Sequence, residues 1–547
     1  MREKTIFFLI IFSISFFFST YKLTESPPTW YDEGFFFNVA RSYAEFNEYK
    51  FQVAPGEFVP MGRYLTVGYP VIFPVSISMK LAGVGLFQER AVMAAFILLL
   101  VCAVFFFFLR RHAPAEAFLF TLFFISFGSL YGNGKNLLGE IPGIFFLTAF
   151  LLFFNLLLEK NRGKMYFALL AGTALGLGIL CKPIFILVIP AFIITFLILR
   201  KDILLKITRK HLVLFLAAVL VPLLAAIFIQ FNRSDDSLLT AILFYMNPAG
   251  WSGFSEVPSI IMQNLLRLVT GATPLHFLLL LAIWTWWIVK RVRCNSIHSL
   301  PPGELFTFLF VILVGFAYLR TLGWYKYFFP AHMMVFLYFP AALKALIELI
   351  TSKSANVILS VAKNLPLWAQ KILHGAYPEI LHFVQNDDRR VQDDSGKSVL
   401  LATNSESSIQ YLRGRFGFPN LFQWAFIVII VIQFYHLVFL SWVSGYYSST
   451  QSKELSDYFS GISHEESVFI HSAPEAVLFV PSSNYYLYLD DVMVRNIGAE
   501  QLEKLASGVP DVVIIPTELI DSQRQYLAHY RKEKELVGQY TVLRKAP

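Results

Sequence analysis

The chain is 547 residues long, with 56% hydrophobic, 17% aromatic and only 15% charged residues and a mean hydropathy of +0.58. An ordinary soluble domain carries about 25% charged residues, so this composition excludes a soluble enzyme and describes a polytopic membrane protein. The net charge of +8 is the Lys and Arg excess of membrane orientation, so no nucleic-acid partner is expected; Cys102, Cys181 and Cys294 lie far apart without CxxC spacing, which implies neither a disulfide framework nor a zinc site.

The N-terminus, MREK followed by TIFFLIIFSISFFFSTY, lacks a clear small-x-small cleavage site and reads as a retained first span. Apolar runs long enough to cross a ~30 Å core follow near 90–109, 115–131, 141–158, 165–181, 183–199, 211–230, 274–290, 303–320, 327–350 and 421–441, about eleven crossings with the first at 5–21. In that register MREK, RRH, EKNRGK, RKDILLKITRK and KRVR all fall on one side, which the positive-inside rule makes cytoplasmic. The N-terminus is therefore expected inside and the tail from about 442 outside. The leftover piece GYPVIFPVSISMKLAG, 68–83, would reverse the basic loops if it spanned; its prolines and short length predict an interfacial or re-entrant helix.

Charges that are scarce elsewhere collect in the opposite connections: Asp32 and Glu33, Lys135 and Glu140, Lys182, the segment 231–273, and Arg320 with Lys326. Ionisable groups at helix ends of a membrane protein are functional candidates because burying them unpaired is costly; the bland alternative is a set of wet loop residues near headgroups. In PPTWYDEG, Thr29 reads as an N-cap with Asp32 as its capping-box partner, which leaves Glu33 unneeded by the cap. The next residues, FFFNVARSYAEF, have helical apolar spacing and predict a helix on the membrane surface. Carboxylates at its N-terminus are favoured in the ionised form by the helix dipole, and an ionised carboxylate can take a proton. Fixed cations such as Lys182, Arg320 or Lys326 could stabilise charge growing on a departing phosphate, although Lys182 could simply snorkel and Lys326 simply anchor the interface.

The DE pair in the first external loop, GKNLLGEIPGIFFLTAF, ALGLGILCKPIFILVIP and YKYFFPAHMMVFLYFP, in this order over residues 1–350, resemble the GT-C membrane glycosyltransferases. The branch they are most similar to contains the protein O-mannosyltransferases and the lipid A aminoarabinose transferases. The resemblance implies a mainly α, polytopic fold with interfacial helices, a polyprenyl-phosphate sugar donor, a lipid, glycan or protein acceptor, and inverting transfer on the outer face. It assigns Asp32 the catalytic base, Glu33 the positioning of acceptor or a metal, Glu140 the carboxylate of the next hairpin, and Lys182 the lipid phosphate. Many relatives have a Lys or His before Pro-Pro in the first loop; here the region reads MGRYLTVGYP and Arg63 stands in its place. His276 and His332 could help hold a divalent ion but read more simply as structural histidines; a cofactor stays unknown and no metal site is assigned.

Two regions complete the chain. Residues 442–547 lose the apolar character, and SVFIHS, NYYLYL, VMVRNI, PDVVIIP and QYTVLRK alternate with helical AEQLEKLAS, which predicts a small extracytoplasmic α/β domain without a phosphate loop. In the cytoplasmic loop 351–420, one codon choice for VILSVAKNL (357–365) has a reverse complement reading EILRYAQND, close to EILHFVQND at 379–387. An in-frame inverted DNA repeat, a bacterial source with an inner-membrane location, and a disordered, dispensable loop are the expectations. Against glycosyl transfer stand a transporter or flippase, which should carry internal repeats that are not evident here, and a non-catalytic membrane protein whose external domain binds partners.

Overall fold

The computed structural model describes residues 2–61, 65–160, 162–231, 257–321, 323–363, 421–441, 451–490 and 497–547. Helices dominate: α1 (Arg2–Thr20), α2 (Tyr31–Phe46), α3 (Tyr69–Ala82), α4 (Leu86–Leu109), α5 (Pro114–Ile125), α6 (Glu140–Glu159), α7 (Lys164–Cys181), α8 (Val188–Lys206), α9 (Arg209–Ala226), α10 (Val257–Thr270), α11 (Ala272–Asn295), α12 (Pro302–Tyr318), α13 (Phe329–Val335), α14 (Phe339–Lys363) and α15 (Leu421–Phe439). Among the described residues seven helical segments are long and apolar enough to cross a membrane, or eight if the pair α13 and α14, bent by 49°, is one span. Helices α5, α12 and α15 are apolar but shorter, so the expected count of eleven is not established, although each expected run contains a helix. The 68–83 piece is the short helix α3.

Apolar side chains on all sides suit these helices to lipid on one face and to each other on the next, so their neighbours are decided by close packing and not by a single apolar stripe. Helices α7 and α9 touch through a Gly-xxx-Gly spacing: a Cβ at Gly172 would come 2.3 Å from the Phe215 carbonyl oxygen, and one at Gly176 2.6 Å from that of Val219. Helix α14 runs on to Lys363, so 351–363, the start of the expected loop, are helical; the remainder of the inverted-repeat region lies outside the described residues.

The C-terminal α/β domain adds α16 (Gln451–Phe459), α17 (Gln501–Ala506) and five strands, β3 (Val468–His471), β4 (Tyr485–Tyr488), β5 (Val512–Pro516), β6 (Tyr530–Leu536) and β7 (Tyr540–Lys545). Their order is β4-β3-β5-β7-β6, with β3 parallel to β4 and β5 and the last two antiparallel. Of the expected strands VMVRNI falls outside the described residues except Ile497, which bridges to Leu489, and YRKEKEL is a strand the alternation did not single out because its side chains are almost all exposed. Val537 and Gly538 both take positive φ, 57° and 65°, at the β6–β7 hairpin, as a turn matching strand twist requires. One sheet face, with Val468, Ile470 and Ile514, joins the core of the helical part. The other, with Phe469, Val513 and Ile515, has its own small core. A second, two-stranded ribbon, β1 (Phe51–Ala54) with β2 (Glu57–Val59), follows α2.

Candidate active site

The first turn of α2 separates the two carboxylates of the DE pair. Trp30, in extended conformation (φ −108°, ψ 151°), is the N-cap, so the box partner three residues on is Glu33 and not Asp32: the Trp30 N–H donates to Glu33 Oε2 at 3.1 Å. The cap thus starts one residue later than the Thr29 reading, and the residue that reading leaves free is the one the cap uses. Glu33 also accepts two bonds from Arg90, Nε to Oε1 at 3.0 Å and Nη2 to Oε2 at 3.1 Å, with both side chains fully buried. Arg90 Nη1 donates to the carbonyls of Leu23 and Pro27 at 3.1 and 2.8 Å. Lys135 Nζ donates to Tyr21 O at 2.7 Å and Asn136 Nδ2 to Pro28 O at 3.2 Å, so the first connection is held at both ends by backbone-directed donors. Burial, then the Arg90 charge, bring the Lys135 ammonium down to about 7.

Asp32, the neighbouring position, points elsewhere and pairs with Lys326. Lys326 stands in a short 3-10 turn, Tyr325–Tyr327, its ammonium 4.5 Å from the centre of the Trp324 ring. Behind this pair is a second one, Lys182 Nζ to Glu140 Oε1 at 2.5 Å, with a further bond from Lys182 to Leu138 O at 2.7 Å. Gly139 creates that approach: at φ +82° it caps α6, and a Cβ there would meet the Cys181 carbonyl oxygen at 2.4 Å. Lys182 ends α7 in extended conformation before Pro183, as the residue preceding a proline favours.

Four charges from four separate segments therefore alternate in sign at one end of the bundle. Their exposures differ: Asp32 34% and Lys326 10%, against 3% for Lys182 and 1% for Glu140. Burial by itself would raise the Asp32 carboxyl. The ammonium groups of Lys326 and then Lys182, with the Lys326 hydrogen bond, outweigh it and hold the carboxyl below its ordinary value. The accessible member is thus an ionised carboxylate, and the buried pair is its electrostatic backing. Glu140 Oε2 has no hydrogen-bond partner among the described residues.

The remaining candidates are Arg320, Arg63 and the two histidines. Arg320 lies on the exposed turn after α12, its N–H bonded to Ala317 O. Arg63 lies outside the described residues. His276 and His332 face each other, Nδ1 to Nε2 at 3.1 Å, and His332 Nδ1 lies 3.0 Å from the Tyr325 hydroxyl. Ser126 donates to Gln433 Oε1 at 2.6 Å, and the Gln433 amide nitrogen is 3.5 Å from His276 Nε2. Both rings spend nitrogens on this network, and among the described residues no three His, Cys, Asp or Glu side chains gather as a metal set. In helix α2 the apolar residues Phe35, Phe36, Phe37, Val39 and Ala40 are all buried against the protein's own elements.

Sequence reasoning missed Arg90 and Asn264. Arg90 lies near the start of α4 beside Glu89, and a charge at the end of an apolar span is the sequence signal that marks it. Asn264 of α10 donates to the carbonyls of Tyr318, Leu319 and Thr321 at 3.3, 3.2 and 2.8 Å and steadies the connection leading to Lys326; an amide in an amphipathic helix carries no sequence signal for this.

The family model described as dolichyl-phosphate-mannose-protein mannosyltransferase matches residues 70–226, which include Glu140 and Lys182 but neither Asp32 nor Lys326. Among solved structures, ArnT from Cupriavidus metallidurans bound to undecaprenyl phosphate superposes with a TM-score of 0.61 at 12% identity, covering 98% of this chain and 97% of that one. Its apo state matches with a TM-score of 0.59, the same identity and the same coverage. The apo oligosaccharyltransferase of Archaeoglobus fulgidus gives 0.45 at 14% identity over 96% of this chain and 71% of that one. No curated protein sequence matches the chain. The fold is that of the GT-C membrane glycosyltransferases, in its ArnT-like form, as the resemblance in sequence implied, and the protein is integral to a membrane.

Proposed function

We propose that the protein transfers a sugar from a polyprenyl-phosphate donor to a hydroxyl- or amine-bearing lipid, glycan or protein acceptor at the extracytoplasmic face of a bacterial inner membrane. The observation that carries this reading is the convergence of Asp32, Lys326, Lys182 and Glu140, with the ionised Asp32 the most exposed of the four. The fold supports it as well, since the ArnT relative holds undecaprenyl phosphate.

In the proposed step the acceptor oxygen or nitrogen attacks the anomeric carbon, its proton passes to the Asp32 carboxylate, and the bond from that carbon to the phosphate oxygen breaks with inversion. The donor phosphodiester carries one negative charge and the departing polyprenyl phosphate gains another. Lys326, already beside Asp32, and Lys182 behind it meet that added charge in a region of low dielectric, where fixed cations act most strongly. Glu140 keeps Lys182 in place. Arg320 and Arg63 are kept as further phosphate contacts, and Glu33 takes the structural role its geometry supports, holding the first turn of α2. The run of basic loops in alternate connections supports a cytoplasmic N-terminus by the positive-inside rule.

The test supplies membranes containing wild type, Asp32→Asn or Glu140→Gln with candidate polyprenyl-phosphate sugars and follows label into acceptor. Wild-type transfer with a fall of about 10²–10⁴-fold for Asp32→Asn is expected. Full transfer by Asp32→Asn would remove the base assignment, and lipid movement without transfer would favour the flippase reading.

A further inference from the structure

Helix α2 carries Asp32 in its first turn and lies between the helical bundle and the C-terminal domain. The contact with that domain is backbone-close at Gly34, two residues beyond Asp32. A Cβ there would stand 2.3 Å from the Pro474 carbonyl oxygen and 2.4 Å from the Glu475 nitrogen. Main-chain atoms cannot rotate away as a side-chain tip can, so only glycine permits this seat.

Two turns further along, Arg41, 1% exposed, donates Nη1 to the Val480 carbonyl at 3.0 Å. Its guanidinium lies 5.6 Å from the centre of the Tyr485 ring and its Nε 3.4 Å from Glu45 Oε2. A buried guanidinium is costly unless its donors are met, and here the partners are divided between α2 and the domain. The ribbon extends the seam: Gln52 Nε2 donates to Ser483 O at 2.7 Å, and Gln501 Nε2 to Glu57 Oε2 at 3.0 Å. The charged and titratable groups facing Asp32 are Lys326, Lys182 and Tyr327, with Glu140 beyond them.

We infer that the C-terminal domain is a positioning element of the active site: by docking on Gly34 and Arg41 it sets where the first turn of α2 stands, and hence the contact between Asp32 and Lys326. The domain is then more than a cover, since a shift at the seam moves the carboxylate away from the ammonium 294 positions later in the chain. The inference rests on the glycosyl-transfer reading for its assay.

Full-length Arg41→Met, Arg41→Lys, Gly34→Ala and Gln52→Ala would be purified in detergent, checked for folding by gel filtration and thermal unfolding, and assayed for kcat, KM and pH profile. The expected result is a kcat lowered by about tenfold or more with donor KM little changed, and an acid limb moved up by about one pH unit as Asp32 loses its cation. Arg41→Lys should recover part of the loss, and Gln52→Ala, the mildest change, should shift the limb in the same direction if the others fail to fold. Wild-type kcat and limb in folded Arg41→Met or Gln52→Ala would overturn the inference, as would a kcat loss equal at every pH. Absence of transfer by the wild type, or full transfer by Asp32→Asn, would instead count against the underlying reading.

Discussion

Asp32 and Glu33 are adjacent in sequence yet belong to different structures: Asp32 pairs with Lys326 in the accessible cluster, and Glu33 with Arg90 in the buried one. Successive helical positions point about 100° apart, so a DE pair at a helix start sends one carboxylate into the cap and the other across the site.

Replacing Lys326 should act through Asp32. The lysine depresses the Asp32 carboxyl, so the ionised base persists to lower pH than it would alone and is lost as pH falls through that depressed value. In Lys326→Met the acid limb of the rate profile should move to higher pH, with kcat lowered throughout. A pH profile of transfer, with the limb unmoved, would count against the pairing.

The buried pair should behave as a unit. Lys182→Met or Glu140→Gln alone leaves the partner buried without its counterpart, a loss of about 3–5 kcal/mol, whereas the double substitution should lose less than the sum. Thermal unfolding of the four proteins in one detergent measures this coupling. Additive losses would mean that the two side chains do not stabilise each other.

Glu33→Gln should differ from Asp32→Asn in kind. It strips the charge from a bidentate, fully buried pair and weakens the α2 cap, so folded yield and melting temperature should fall, with a cost of about 3–5 kcal/mol, while the transfer left per folded molecule stays well above that of Asp32→Asn. A stable but inactive Glu33→Gln would return that residue to the chemistry.

The histidine network should respond to substitution and not to chelation. Tyr325→Phe leaves His332 Nδ1 without its hydroxyl partner, which costs about 1–3 kcal/mol. His276→Ala should lower the melting temperature similarly. A chelator should leave it unchanged, and a chelator-sensitive melting temperature restored by one divalent ion would show the rings to be ligands.

The sequence alone determined that the protein is a helical membrane protein with an α/β tail and that charge collects at a few helix ends, because hydropathy and period are local properties read over a few turns. It also singled out Asp32, Glu140, Lys182 and Lys326. Which of these meet, and which of two neighbouring carboxylates serves the cap, only the tertiary structure decided. Those outcomes depend on a one-residue shift in the start of α2, on the left-handed Gly139 that brings Glu140 to Lys182, and on Arg90 reaching back to Glu33. Ion pairs between segments far apart in the chain are set by how helices pack, and packing leaves no periodic trace in the residues that it joins.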